Sequence, residues 1–108
     1  MVLLLNVPIV DCTPTPDGRD YVGHISVTDS GRTCQAWTSQ SPHTHQFDQD
    51  NAFADGSVAA AANYCRYVVS GLWCYTTDPD VRWEYCNVPL CGQPSVKKQK
   101  KYSRNFKI

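Results

Sequence analysis

The chain has 108 residues, which is enough for one domain and too few for two of ordinary size. Ten basic residues balance ten acidic ones, so the formal net charge at neutral pH is zero. No apolar stretch approaches the roughly 20 residues that a helix needs to cross a bilayer, so we expect no membrane span in this chain.

The first ten residues read MVLLLNVPIV and are almost entirely apolar. They lack the basic start and the small-residue cleavage site that are typical of a secretory signal. We interpret residues 1–11 as an apolar leader or linker. The remnant of a signal peptide, an artificial start in a fragment and an edge strand are the alternatives.

Beyond this leader, turn-forming residues divide the chain into short runs. The turn signals include Pro14, Pro16, Asp17-Gly18, Ser30-Gly31, Asp55-Gly56, Ser70-Gly71 and Asp78-Pro79. Residues 21–28 alternate in a way that predicts a β-strand, and residues 82–85 form a second short run, rich in aromatic side chains. Residues 57–64 include four consecutive alanines and are the one helical candidate, although eight residues make a marginal helix without tertiary support.

Six cysteines are spread through the central segment, and an even number in a short chain rich in Pro, Gly, Trp and Tyr predicts a disulfide framework. They are Cys12, Cys34, Cys65, Cys74, Cys86 and Cys91. A zinc site or six reduced thiols are the alternatives, and the spacing does not show the paired C-x₂-C knuckles of a structural zinc site. Because disulfides persist in oxidising compartments, we expect a secreted protein or an extracellular domain.

The two signs of charge are segregated along the chain. All ten acidic residues and only four arginines precede the last cysteine, so the body carries −6 and the tail, residues 92–108, carries +6. The basic tail residues are Lys97, Lys98, Lys100, Lys101, Arg104 and Lys107. This tail is either a solvated linker or a contact for a polyanion. In a secreted protein that polyanion is a heparin-type glycosaminoglycan and not a nucleic acid.

From Cys34 onward, the cysteines are embedded in an ordered series of short motifs. These are Cys34-Gln35-x-Trp37, Ser41-Pro42-His43, Asn63-Tyr64-Cys65-Arg66, Trp73-Cys74-Tyr75-Thr76-Thr77-Asp78-Pro79, Arg82-Trp83-Glu84-Tyr85-Cys86 and Pro89-x-Cys91. Together with Tyr21-x-Gly23, this series resembles the kringle family over residues 12–91. Kringles of plasminogen-like proteins, of receptor tyrosine kinase ectodomains and of invertebrate multidomain proteins are the members that it is similar to.

The resemblance implies a fold and a disulfide pairing. The fold is small, disulfide-rich and mostly irregular, with short antiparallel β-strands. Kringles join their first cysteine to the sixth, the second to the fourth and the third to the fifth. Carried over, this pairing gives Cys12–Cys91, Cys34–Cys74 and Cys65–Cys86.

The resemblance also implies a shallow ligand-binding trough. Trp73, Tyr75 and Trp83 fall on the positions of its aromatic walls, and Arg82 on the position of its cation. In members that bind lysine, an acidic pair holds the ligand's ammonium group. Here the corresponding segment, residues 67–72, contains no acid, and Gln46 occupies the second cation position. The resemblance therefore implies a degenerate lysine-binding site.

A second departure lies in residues 48–62, which form a longer and more alanine-rich segment than the family has. The family's Gly-Leu before Asn-Tyr-Cys has no direct counterpart. We expect Val58 to take the place of that leucine.

The aromatic candidates also fit a purely structural role. Packing beside the disulfides, which is common in small disulfide-rich domains, explains Trp73 and Trp83 better than a ligand role does. Trp37 follows Cys34 closely and is predicted to lie in the core, and Tyr75 is predicted to be buried or half-buried.

The polar candidates have structural explanations as well. The alternative to a ligand role for Arg82 is a surface ion pair with Asp80 or Glu84, and such pairs contribute about 0–1 kcal/mol. His43 and His45 suggest a metal site only with a third ligand, and His43 stands where kringles carry a structural histidine. We therefore predict no metal and no cofactor.

These observations favour a non-catalytic extracellular module that binds another extracellular protein or a receptor. Two alternatives remain open: a glycosaminoglycan-binding module that acts through the basic tail, and a regulatory kringle of a trypsin-like protease whose catalytic domain lies outside this chain. The sequence contains no nucleophile-elbow motif of a hydrolase.

Overall fold

A computed structural model describes residues 11–92. A 3-10 helix, Asp50–Ala52, is followed by three β-strands: β1 (Arg66–Tyr67), β2 (Leu72–Tyr75) and β3 (Trp83–Tyr85). The strands form one antiparallel sheet in the order β1-β2-β3. Within residues 11–92, no helix has the length and apolar character needed to cross a membrane. The architecture matches the predicted fold class of short antiparallel strands in a mostly irregular chain.

The register of β3 determines which of its side chains share a face. Trp73 of β2 lies opposite Tyr85, and Tyr75 lies opposite Trp83. Successive side chains of a strand point to opposite faces of a sheet. Trp83 and Tyr85 therefore share one face of β3, while Glu84 points to the other. The run predicted at residues 82–85 is confirmed as a strand.

Three disulfides connect the chain with the predicted pairing. Cys12–Cys91, Cys34–Cys74 and Cys65–Cys86 are all formed, with Cα–Cα distances of 5.0, 5.6 and 6.2 Å. The sulfurs of Cys34 and Cys65 lie 3.8 Å apart, so the two inner bridges pack against each other. The four sulfur atoms of these bridges lie within 4.8 Å of one another, but all are in disulfide bonds and are not metal ligands.

Trp37 lies at the centre of the core, as its position near Cys34 predicted. Its side chain is 1% exposed, and its ring makes edge contacts with Phe53, Trp73 and Tyr75 at centroid distances of 5.1, 5.2 and 5.8 Å. Its indole nitrogen donates a hydrogen bond to the Tyr64 carbonyl oxygen at 2.7 Å. The buried indole thus has the polar partner that burial requires.

The long segment of residues 48–62 is part of the core. Phe53, Val58 and Ala61 are all buried, so Val58 fills an apolar position as expected. The Val58 backbone N–H is bound by the Asp50 carboxylate at 2.9 Å, which closes a loop from the 3-10 helix. The additional length therefore contributes apolar surface to the interior instead of extending into solvent.

The predicted helix at residues 57–64 is wrong. The segment is a series of turns, in which Ser57 accepts a hydrogen bond from the Ala60 N–H through its hydroxyl oxygen. Ala62 has a positive φ of 45°, and its carbonyl accepts the Trp37 N–H at 2.8 Å. The Ala61 and Ala62 N–H groups donate to carbonyls three residues back, and the positive φ at Ala62 leaves the helical conformation, so the local geometry overrides the helix propensity of the alanines.

The strand predicted at residues 21–28 is also wrong. Only Val27 makes a ladder contact there, an isolated bridge to Thr33 across a turn. Tyr21 is 1% exposed, and its hydroxyl donates to Asp11 and accepts the Ile25 N–H. In residues 21–28, backbone hydrogen-bonding groups pair with side chains and in one isolated bridge. The alternating sequence pattern therefore does not correspond to a strand of a sheet.

Within the described part of the chain, residues 11–92, one charged side chain lies in the interior. Arg66 is 1% exposed, and its guanidinium donates to both carboxylate oxygens of Asp55, at 2.7 and 2.8 Å, and to the Gly23 carbonyl at 2.8 Å. Its Cζ also lies 5.4 Å from the Tyr21 ring centroid and 5.2 Å from that of Tyr64. The buried guanidinium of Arg66 is therefore paired with a carboxylate and hydrogen-bonded, which offsets the cost of removing its charge from water.

Candidate ligand-binding groove

A shallow surface groove with a volume of about 330 Å³ lies over β2 and β3. We call it the aromatic groove. It is lined by Phe47, Val68, Val69, Ser70, Trp73, Tyr75, Arg82, Trp83 and Tyr85. All four ligand-binding residues predicted from the sequence line it, together with five that were not predicted.

The aromatic rings of the groove form a floor and a wall. Trp73 is only 8% exposed and forms the floor, with Phe47 and Trp83 in edge contact at centroid distances of 5.8 Å each. Trp83 is 46% exposed and Tyr85 54% exposed, and their rings meet at 5.0 Å. Packing therefore explains the position of Trp73, whereas Trp83 keeps an open face. Tyr75 is buried, as predicted.

Tyr85 is held in place by a close approach to the backbone. A Cβ atom added to Gly71 would lie 2.9 Å from Cε1 of Tyr85, and Gly71 has a φ of 72°. Both the contact and the backbone conformation therefore favour glycine at this position. Sequence analysis missed Tyr85 as a wall, although the period of two along β3 places it beside Trp83.

Residues 67–72 form one end of the groove, where the acidic pair is missing. Val68 is 2% exposed, and its carbonyl oxygen accepts hydrogen bonds from the Trp73 indole at 2.7 Å and from the Ser70 N–H at 3.0 Å. Val69, by contrast, is 76% exposed. This end of the groove is therefore apolar and carries no negative charge.

Arg82 supplies the positive charge of the groove. Its guanidinium donates to the Thr44 carbonyl at 2.8 Å, and its Cζ lies 5.1 Å from the Tyr75 ring centroid. The alternative pairing with Asp80 or Glu84 is wrong: Arg82 forms no ion pair with any residue in 11–92. The guanidinium is exposed and available to a carboxylate from outside the chain.

The sequence comparisons agree with this geometry. The family model described as the kringle domain matches residues 12–91. The chain belongs to the kringle family. The human apolipoprotein(a)-like protein 2 is 48% identical over 78 residues, which is 70% of this chain and 57% of that relative. The chain thus covers little more than half the length of the relative that it matches.

Glu84, two residues after Arg82, is engaged on the other side of the kringle sheet. Glu84 accepts hydrogen bonds from the hydroxyls of Thr28 at 2.6 Å and Ser30 at 2.8 Å, and it pairs with Arg32 at 3.2 Å. The Thr28 hydroxyl and then the Ser30 hydroxyl hold the pKa of the Glu84 carboxyl below its usual value, with Arg32 adding to the effect. Strand alternation thus separates this carboxylate from the groove.

His43 and His45, the two histidines considered as metal ligands, have structural partners. The His43 ring nitrogen Nε2 lies 2.9 Å from the Asp78 carbonyl oxygen. His45 accepts the Phe47 N–H at Nδ1 across 3.1 Å, and its ring stacks on Tyr75 at a centroid distance of 4.9 Å. These contacts position Phe47 and Tyr75 beside the groove.

A second, wider depression of about 520 Å³ lies around Asp11 and His24, away from the aromatic groove. Both carboxylate oxygens of Asp11 are already used, one by the Tyr21 hydroxyl at 2.6 Å and one by the His24 N–H at 2.7 Å. The Asp11 carboxylate therefore has a structural role in the fold.

The candidate polyanion-binding residues cannot be placed relative to this groove. Lys97, Lys98, Lys100, Lys101, Arg104 and Lys107 lie outside the described residues.

Proposed function

We propose that this kringle is a non-catalytic extracellular module that binds a partner protein through the aromatic groove, and that the groove is a degenerate lysine-binding site. The observation that carries the proposal is the composition of the groove. An exposed arginine without an ionic partner in residues 11–92 stands beside two half-exposed aromatic rings, and no acid lines the groove.

The chemistry of the groove supports protein recognition. Partly exposed tryptophan, tyrosine and arginine side chains are the types enriched at binding hot spots. Trp83, Tyr85 and Arg82 provide one of each around a single concavity. On a monomeric domain, a contiguous patch of exposed apolar side chains usually marks an interaction site.

The extracellular setting rests on the disulfides. Three bridges connect residues 12–91, and bridges of this kind persist in oxidising compartments.

A second candidate function is binding of a heparin-type polyanion by the tail. The observation that favours it is the segregation of charge, with six basic and no acidic residues after Cys91. Six clustered cations attract a polyanion through a long-range field that salt screens.

Selection of random peptides on the oxidised full-length chain tests the primary proposal. The enriched peptides are then measured against Trp83→Ser and Arg82→Gln, with Arg19→Gln as a control because Arg19 pairs with Asp17 outside the groove. We expect both groove variants to lose binding and the control to keep it. Peptides that bind all three variants equally would place recognition elsewhere.

A further inference from the structure

Val69 has an unusual backbone conformation for its residue type. Its φ is 75°, and the flanking Val68 carbonyl and Ser70 N–H are joined by a hydrogen bond of 3.0 Å. This is a three-residue turn with a positive φ at its centre, which is rare and strained. A β-branched residue is among the least suited to that region, because its branched side chain crowds the backbone.

The surrounding contacts force the turn. Val68 is fixed below it, with its side chain in the core and its carbonyl bound to the Trp73 indole. Gly71 follows it with a φ of 72°, at a position where a Cβ atom would lie 2.9 Å from Cε1 of Tyr85. These anchors explain the backbone path of the turn but not the side chain at its tip, because glycine or asparagine adopts a positive φ at lower cost.

The side chain of Val69 is therefore the unexplained feature. Its exposure of 76% is the largest among the large hydrophobic side chains exposed within residues 11–92. It lines the aromatic groove at the end where lysine-binding kringles carry acids. Strained residues of this kind cluster at ligand-binding sites.

We propose that Val69 is a ligand-contact residue, and that the groove binds an apolar or aromatic side chain of a partner protein that has a carboxylate beside it. This inference rests on the proposed function and specifies the ligand. Val69, Trp83 and Tyr85 supply apolar surface, and Arg82 supplies the counter-charge for the carboxylate.

Charge complementarity selects this ligand over a basic one. The lining of the groove contains one cation and no anion, so an ammonium group there would lose water and gain no counter-charge. The same lining argues against a second copy of this groove as the occupant, since the two copies would bring two Arg82 side chains together without an acid.

Titration of the oxidised full-length chain with 3-phenylpropanoate, followed by NMR, tests the inference. A small ligand of this size is expected to bind in the millimolar range. The matched cation 3-phenylpropylamine is expected to bind at least tenfold more weakly. The variants are Val69→Asn and Val69→Gly, which both suit a positive φ, and the control is Val22→Asn, at an exposed valine outside the groove.

We expect each Val69 variant to weaken binding of 3-phenylpropanoate by about fourfold for every methyl group removed from contact. The midpoint of urea denaturation should not fall, since backbone strain is relieved. Val22→Asn should bind as the unaltered chain does. Together these results separate a ligand contact from a structural role.

The inference is overturned if the Val69 variants bind 3-phenylpropanoate like the unaltered chain, or if the amine binds as well as the acid. Concentration-dependent self-association that Trp83→Ser abolishes would assign the groove to a second copy and overturn it too. If 3-phenylpropanoate does not bind while selected peptides still depend on Trp83, the ligand class is wrong and the proposed function stands. If neither binds, both are wrong.

Discussion

The indole nitrogen of Trp73 donates a hydrogen bond to the carbonyl oxygen of Val68 across 2.7 Å. This bond ties residues 67–72 to the floor of the groove and satisfies the one polar atom of a side chain that is 8% exposed. The segment in which lysine-binding kringles carry their acids is thereby held as a short apolar turn. The first prediction follows from this relationship.

The chain is expected not to bind 6-aminohexanoate with a dissociation constant below about 1 mM, which would require about 4 kcal/mol of binding free energy. Cation–π attraction to Trp83 contributes about 0.5–2 kcal/mol, but the ligand ammonium loses water in a groove lined by no acid, and this cost offsets the pairing of the carboxylate with Arg82. Titration monitored by tryptophan fluorescence measures this directly. Saturable binding below a millimolar dissociation constant would contradict the account of the groove.

A gain-of-function variant provides the matched control for that prediction. The exposed positions Val69 and Ser70 are the sites for two aspartates, because Val68 is 2% exposed and an acid there would disrupt the core. If Val69→Asp with Ser70→Asp gains affinity for 6-aminohexanoate, the missing acids explain its absence. If it does not, the conformation of residues 67–72 itself prevents binding.

The second prediction concerns the buried ion pair of Arg66 and Asp55. Arg66→Met should lower the free energy of unfolding by about 3–5 kcal/mol, because Asp55 and the Gly23 carbonyl would lose their donor in the interior. Urea denaturation of the oxidised chain measures the loss. Arg19→Met, at an exposed pair with Asp17, is the control and should leave stability nearly unchanged. Equal effects of the two substitutions would refute a special role for the buried pair.

A pH dependence is the third prediction. The Thr28 hydroxyl holds the pKa of the Glu84 carboxyl below its usual 4.5 in the folded state. A depressed pKa means that the carboxylate contributes stability above its unfolded-state pKa, and that this contribution is lost as the pH falls through the folded-state value. The unaltered chain should therefore be more stable than Glu84→Gln at neutral pH, and the difference should vanish well below pH 4.5.

Urea denaturation of both chains across this pH range measures the effect. In a Thr28→Val background the pH-dependent part of the difference should shrink, because the principal hydrogen bond to the carboxylate is gone. A difference that stays constant with pH would show that Glu84 acts through packing and not through its charge.

The fourth prediction concerns the tail. Affinity for a heparin column should reside in residues 97–107 and fall steeply with salt, since exposed charges are screened within a Debye length of about 10 Å at 0.1 M. Replacing Lys97, Lys98, Lys100 and Lys101 by glutamine should shift elution to lower salt, whereas Arg82→Gln should not. A chain ending at Cys91 that elutes as late as the full chain would exclude the tail.

The sequence alone determined the chemistry of the chain and much of its fold class. Its motifs identified the family, and through the family the pairing of all six cysteines. They also predicted a buried Trp37, because a large apolar ring close to Cys34 packs beside the disulfides whatever the conformation of the loops. The absence of acids in residues 67–72 was visible without a structure.

Only the tertiary structure decided which residues share the groove and how each is exposed. Phe47, Val69 and Tyr85 are distant in sequence, and the sheet register and the turn at residues 68–71 bring them together. The alanine-rich segment did not form a helix: Ala62 adopts a positive φ, and its carbonyl accepts the Trp37 backbone N–H from a distant part of the chain. Propensity and alternation are local, whereas in this small domain long-range hydrogen bonds and disulfides determine the backbone path, so local patterns misplaced the helix and one strand.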